Sequence, residues 1–236
     1  MTKKIKNSSP NIDDFIFPKK LKYELQFLLN NPEKMPRVLC FYGNPGNGKT
    51  TFAKYLAFEI AKEVQYYDSN RFKAEGKSSN YILRSINDSC RTVPMYEFIE
   101  GYEHLKDKPF NRAFIIDEFH NYSLQTQDSY KIAVEEISKN SSIFIFILNT
   151  DEKETYEKRV TPAMRSRFYD IKFDLEAHQI DEVCELSKRK YPQVPDETIR
   201  ELVTANDMRR LTTKAKMLSW YEYQKEEVDM WILNKF

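Results

Sequence analysis

Eight residues, Gly43-Asn44-Pro45-Gly46-Asn47-Gly48-Lys49-Thr50, fit the pattern G-x-x-x-x-G-K-[ST] at all four fixed positions. The pattern has meaning in one structural setting, a loop that leaves a strand and opens a helix. Both flanks meet it. Val38–Tyr42 (VLCFY) is a short apolar run, and Phe52, Leu56 and Ile60 follow at i, i+4 and i+8. A chance Gly-rich turn is disfavoured by so many simultaneous matches. The chemistry explains the residue types. Glycines let backbone N–H groups close on phosphate oxygens, and the helix N-terminus adds partial positive charge. Lys49 is placed to neutralise β- and γ-phosphates, and Thr50 offers its hydroxyl to Mg²⁺. Residues 43–50, with Thr51 directly behind them, form the candidate phosphate site.

Further apolar runs frame this loop. Ala113–Ile116 (AFII) and Ile143–Leu148 (IFIFIL) are continuous, Val64–Tyr67 (VQYY) is the weakest, and Tyr169–Phe173 (YDIKF) alternates. Continuous runs of this length suit strands buried on both faces of a parallel sheet. Helical spacing fills the gaps over Lys49–Glu63 and Gln125–Lys139. The alternation predicts an α/β fold, a parallel sheet with helices on both faces. After Phe173 only helical spacing remains: Ile180, Val183, Cys184 and Ser187, then Ile199, Leu202 and Val203, then Met208, Leu211, Ala215 and Leu218. The expected organisation is an α/β domain over residues 1–174 and a small all-helical domain over 175–236.

Two acids end the AFII run, Asp117 and Glu118. A strand-tip Asp beside a phosphate loop can hold Mg²⁺, and an adjacent Glu can activate the attacking water. Alone, the pair reads equally well as two solvated acids; the loop upstream favours the chemical reading. Asn149 ends the next strong strand and, in a parallel sheet, emerges at the same edge. From residue type alone a turn-forming Asn is nearly as good a reading.

Composition excludes several classes. The 236 residues carry a formal net charge of +1, so any nucleic-acid contact has to come from a local patch. Cys40, Cys90 and Cys184 are odd in number and widely spaced, which argues against a disulfide framework and for a reducing, cytoplasmic setting. His104, His120 and His178 do not cluster as zinc ligands would. The N-terminal MTKKIKNSSPN lacks the apolar stretch of a signal peptide, and no apolar run is long enough to span a membrane.

These elements in this order resemble the AAA+ ATPases, and among them most of all the ATPase subunits of phage and cellular sliding-clamp loaders. The likeness runs over roughly residues 11–220. Asn11–Pro18 resembles the segment that lines the adenine pocket, which implies a nucleotide contact at Pro18. Gly43–Thr50 is similar to Walker A, and Phe114–His120 (FIIDEFH) to Walker B. Asn149 sits where the family has its sensor 1 residue. Thr161–Phe168 resembles the clamp-loader Ser-Arg-Cys box, with Phe168 in place of the cysteine. The resemblance implies that Arg167 reaches the nucleotide of a neighbouring subunit. Asn206–Leu211 resembles the G-D-M-R-R sensor 2 motif, which makes Arg209 the residue that touches the γ-phosphate in cis. Asn206 replaces its glycine, a residue type that still suits a helix cap. Arg165 and Arg210 read as structural or DNA-facing.

The resemblance implies ATP and Mg²⁺ as cofactors, and self-association or a hetero-oligomer through the AAA+ modules. It implies a sliding clamp and primer–template DNA as partners, in the cytoplasm or, for a viral chain, the host cytoplasm. Family members usually continue into a helical collar, whereas roughly one helix follows the sensor 2 motif here. The oligomer is then held by the AAA+ modules alone, or another protein supplies the collar, or the chain belongs to a different branch. Residues 71–91 hold Arg71, Lys73, Lys77, Arg84 and Arg91 against Glu75 and Asp88. In the resembled family this region tracks DNA phosphates, although charge alone favours a plain solvated face. The competing readings are a helicase loader or a viral superfamily-3 helicase, which would not carry the D-M-R-R motif. A third is a non-hydrolysing ATP-binding subunit, which Glu118 and Asn149 argue against.

Overall fold

Strands rich in Val, Ile and Phe can bury both faces only if helices cover each side. The structure, a computed structural model, describes residues 11–77, 79–92, 105, 107–137, 141–150 and 155–233, and leaves aside the side chains of 79, 80, 91, 137 and 222–233. Its sheet has five strands: β1 (Val38–Gly43), β2 (Ala61–Asp68), β3 (Phe110–Asp117), β4 (Ser142–Asn149) and β5 (Tyr169–Lys172). They lie in the order β2-β3-β4-β1-β5, all parallel. Register places Gly43 beside Asn149 and Asp68 beside Asp117, so the phosphate loop and the polar strand tips share one edge.

Alternation along the strands splits the core into two layers. Leu39, Phe41, Ile115 and Ile145 face α1 (Lys19–Asn30) and α2 (Lys49–Ile60), where Leu25, Phe52 and Leu56 are fully buried. Cys40, Phe114, Phe144 and Phe146 face the other side. There they meet Ile82 and Ile86 of α4 (Ser79–Arg91) and Tyr130 of α5 (Leu124–Ile137). Short helices α3 (Ser69–Ala74), α6 (Tyr156–Arg159) and α7 (Pro162–Arg165) complete this part.

The last three helices build a separate apolar cluster. Val183 and Cys184 of α8 (Ile180–Lys190), Ile199, Leu202 and Val203 of α9 (Asp196–Thr204), and Leu211 and Ala215 of α10 (Met208–Leu233) are buried together. The segment before α1 joins the two bodies: Phe17 is buried in the sheet core, while Ile16 packs on the helical cluster.

Several boundaries differ from expectation; β3, read as Ala113–Ile116, runs from Phe110 to Asp117. The helix expected over 49–63 ends at Ile60, because Ala61 and Glu63 already pair with Phe110 and Arg112 of β3. The Arg112 Nε–Glu63 Oε2 contact, 2.9 Å, ties the edge strand there. The strand read as Val64–Tyr67 is therefore eight residues long. β5 ends at Lys172, with the Phe173 N–H still donating to the Tyr42 carbonyl at 2.9 Å. The end expected at Lys139, the first ten residues and His104 lie outside the described residues. Helices α1 and α4 are additional to the helices expected from periodicity. No helix among the described residues is long and apolar enough to cross a membrane.

Candidate functional site

The chain turns from β1 into α2 through residues that only glycine makes easy. Gly46 and Gly48 have φ of 95° and 84°. Gly46 lies against the start of α10: a Cβ there would be in van der Waals contact, 3.5 Å from the Arg209 Cβ and 3.4 Å from an Asp207 oxygen. Lys49 folds back over the loop and donates to the carbonyls of Gly43 at 2.9 Å and Asn44 at 2.6 Å. Burial pushes its ammonium down to about 8, against the pull of Asp174, Glu118 and Asp117.

The tips of β3 and β4 meet this loop. Thr50 donates its hydroxyl to Asp117 Oδ2 at 2.9 Å, and the Tyr66 hydroxyl donates to the same oxygen at 2.7 Å. Glu118 turns out of the strand in the left-handed region, at φ 55°, an uncommon conformation for a residue with a side chain. Both of its carboxylate oxygens accept from Asn149 Nδ2, at 2.8 and 3.0 Å. Burial raises the Glu118 carboxyl and the negative Asp117 raises it further, while the Asn149 hydrogen bond lowers it. His120 Nδ1 accepts from the Asn149 backbone N–H at 3.3 Å. That pattern assigns the ring proton to Nε2, 3.2 Å from Glu118 Oε2.

Above the loop lies a cavity of about 410 Å³. Phe15, Ile16 and Phe17 line one wall, Gly46, Asn47, Gly48 and Thr51 the floor, and Tyr191, Met208, Arg209 and Thr212 the far side. The Phe15 and Phe17 rings stack with centroids 5.3 Å apart. Pro18 is not in this lining; it lines a smaller cleft of about 210 Å³ with Tyr42 and Asp174. Arg209 lines the main cavity. Arg167 does not; its Nε meets Glu135 of α5 at 3.1 Å, and its Nη1 donates to the Ala163 carbonyl at 2.6 Å. In the basic stretch, Glu75 holds Arg71 and Lys77 at 2.9 and 2.8 Å. Lys73 and Arg84 are exposed.

A family model described as "ATPase family associated with various cellular activities (AAA)" matches residues 39–175, more than half of the chain. The chain belongs to that family. A "Replication factor C small subunit" from Thermofilum pendens is 28% identical over 158 residues, covering 66% of this chain and 42% of the relative. A "Sliding-clamp-loader large subunit" from Escherichia phage RB69 is 30% identical over 142 residues, covering 60% of this chain and 39% of the relative. The chain thus spans about two fifths of the length of each. The fold is similar to that of a solved structure described as "Replication initiator DnaA bound to AMPPCP and single-stranded DNA". The TM-score is 0.59 at 16% identity, over 96% of this chain and 70% of that one.

Within this AAA family member, two polar side chains at the loop, Tyr66 and Asp174, lie outside every motif of the sequence. Tyr66 touches Asp117, Asp174 accepts from Asn47 at 3.1 Å, and His120, the last residue of FIIDEFH, touches Glu118. Asn206, expected to cap a helix, does so at the C-terminal end of α9. At φ 58° it lets the N–H groups of Asn206 and Asp207 return to the carbonyls of Val203 and Leu202, at 3.0 and 2.9 Å. The start of α10 is capped instead by Asp207, whose Oδ1 accepts from the Arg210 N–H at 3.0 Å.

Proposed function

We propose that the chain is an ATP-hydrolysing AAA+ subunit of a DNA-replication clamp loader, using ATP binding and hydrolysis to place a sliding clamp on primer–template DNA. Hydrolysis rests on one observation above all: the Glu118 carboxylate, raised by burial and aimed by Asn149, stands beside the Thr50–Asp117 pair. In this reading the backbone of residues 43–48 and the α2 N-terminus cradle the phosphates. Lys49 exchanges its carbonyl partners for β- and γ-phosphate oxygens, and Glu118 takes a proton from the attacking water. Asn149 orients that water and the γ-phosphate, and Arg209 stabilises charge on the γ-phosphate from the cavity's far side. Pro18 and Thr51 complete the proposed nucleotide-binding set.

The donor chemistry fits Mg²⁺. Thr50 and Asp117 supply a hydroxyl and a carboxylate 2.9 Å apart, and this ion takes few protein oxygens and keeps water and phosphate ligands. Bound there, Mg²⁺ neutralises the phosphates; Thr50 and Asp117 would hold it. No group of three or more His, Cys, Asp or Glu that would suit a different metal occurs among the described residues.

The clamp-loader reading draws on the names of the relatives and on the box that carries Arg167. It takes residues 1–174 as the nucleotide-binding domain and 175–236 as the lid. It also takes assembly into an oligomer, with DNA and a clamp as partners, in a cytoplasm or host cytoplasm. The test is a steady-state ATPase assay with the cognate clamp, any partner subunits and primer–template DNA, each omitted in turn. Turnover is expected to be slow for the protein alone and to rise when clamp and DNA are both present. Stimulation by a helicase and not by a clamp would replace this reading with a helicase loader. A rate indifferent to all of them would end the clamp-loading proposal.

A further inference from the structure

One carboxylate oxygen joins the phosphate loop to the lid. Asp174 Oδ1 accepts from the Asn44 backbone N–H at 2.5 Å and from Asn47 Nδ2 at 3.1 Å, both in the loop. The same atom accepts from Asn206 Nδ2 at 3.3 Å, three residues before Arg209. A methyl at Gly43 would lie 2.6 Å from this oxygen, so the carboxylate rests directly against the first residue of the loop.

Both asparagines give an amide N–H to Asp174, and Asn47 Nδ2 also donates to the neighbouring Phe173 carbonyl at 3.4 Å. The carbonyl oxygens of Asn47 and Asn206 are buried without a hydrogen-bond partner. Leaving a buried acceptor unsatisfied is unfavourable, and each amide accepts that cost while giving its N–H to the charged oxygen. Asn206 is also the residue where α9 ends in the left-handed region. Anchoring it fixes the turn that launches α10, whose first residues lie against Gly46. Asp174 thus bridges the loop and the turn that leads to Arg209.

We propose that Asp174 is a positioning residue. Through one oxygen it ties the phosphate loop to the start of α10, sets where Arg209 meets the γ-phosphate, and so governs how the site distinguishes a nucleoside triphosphate from a diphosphate. This rests on the role given to Arg209 above, and the experiment separates the two. A glycine accepts φ 58° without strain, so Asn206→Gly removes the lid donor and keeps the turn; a melting curve confirms folding.

The measurement is the ratio of dissociation constants for ADP and for a slowly hydrolysed ATP analogue, titrated with Mg²⁺. The proteins are wild type, Asn206→Gly, Asp174→Ala, Asp174→Asn, Arg209→Ala and the Asn206→Gly/Arg209→Ala double variant. Arg209→Ala should lower the triphosphate preference by about tenfold, and Asn206→Gly and Asp174→Ala by about three- to tenfold. Asp174→Asn keeps the acceptor oxygen and should recover most of the preference. In the Arg209→Ala background Asn206→Gly should add less than about twofold, because the strut acts through Arg209. If Arg209→Ala loses the preference while Asn206→Gly keeps it, the strut is refuted and the functional reading stands. Equal losses with and without Arg209 also refute it, since the effect then runs through the loop alone. A wild-type ratio in Arg209→Ala removes Arg209 from the γ-phosphate, and the strut's purpose with it.

Discussion

Lys49 is 4% exposed, and its ammonium is held by two loop carbonyls. A buried cation is costly unless it meets an anion, which makes this side chain poorly matched to its loop and well matched to phosphate. Lys49→Ala should lower ATP affinity about ten- to hundredfold, the worth of a charge-assisted contact of about 1.5–3 kcal/mol; unchanged affinity in a calorimetric titration would remove Lys49 from the site. Glu118 tests the chemistry instead of the binding. Glu118→Gln keeps the shape and an oxygen for Asn149 Nδ2 but cannot take a proton from water. Nucleotide affinity should stay within about threefold of wild type while single-turnover hydrolysis falls by about 10²-fold or more. Hydrolysis at the wild-type rate would show that another group is the base.

Among the elements, legibility followed burial. β1, β3 and β4 are buried along nearly their whole length, so each carries a continuous apolar run and their tips, Gly43, Asp117 and Asn149, could be placed in advance; the start of β3 was obscured by Asn111 and Arg112. β2 forms the sheet edge and is only partly buried, so AKEVQYYD carries a mixed pattern and its start was hidden in the end of α2. α1 was legible in principle, since Leu21, Leu25 and Leu28 are its buried face. The strut and the Tyr66 contact were not, because they join residues 130 and 51 positions apart and no local periodicity records such a meeting. The basic stretch became α3 and α4, held to the sheet by Ile82 and Ile86. Glu75 engages Arg71 and Lys77, which leaves the exposed Lys73 and Arg84 as better probes of DNA contact. Lys73→Glu with Arg84→Glu should weaken DNA-stimulated turnover and flatten the salt dependence of DNA binding by about one unit of slope per lost phosphate contact. DNA-free turnover should stay within about twofold. DNA binding with an unaltered salt slope would remove this face from the interface.

At the scale of the whole molecule, Arg167 and the cavity above the phosphate loop lie apart. Arg209 lines the cavity of its own chain, whereas Arg167 lies against Glu135 and the Ala163 carbonyl, away from that cavity's lining. If Arg167 acts, it does so on a neighbouring subunit, and a complete site needs two chains. Arg167→Ala should then lower turnover by as much as about 10³-fold, the scale of arginine fingers in related phosphoryl transfers. Arg167→Ala protein keeps its phosphate loop, and Lys49→Ala protein keeps its arginine. In a random equal mixture, roughly a quarter of interfaces pair an intact loop with an intact arginine. Neither variant alone should turn over appreciably. Mixing them should restore activity, with a maximum near equal proportions and up to roughly a quarter of the wild-type rate per site. Glu135→Ala frees Arg167 from a partner outside the site, so that variant should keep or raise the rate. Absence of recovery at every ratio, with mixed assembly verified by mass measurement, would place the whole catalytic set within one chain and leave Arg167 an ordinary partner of Glu135.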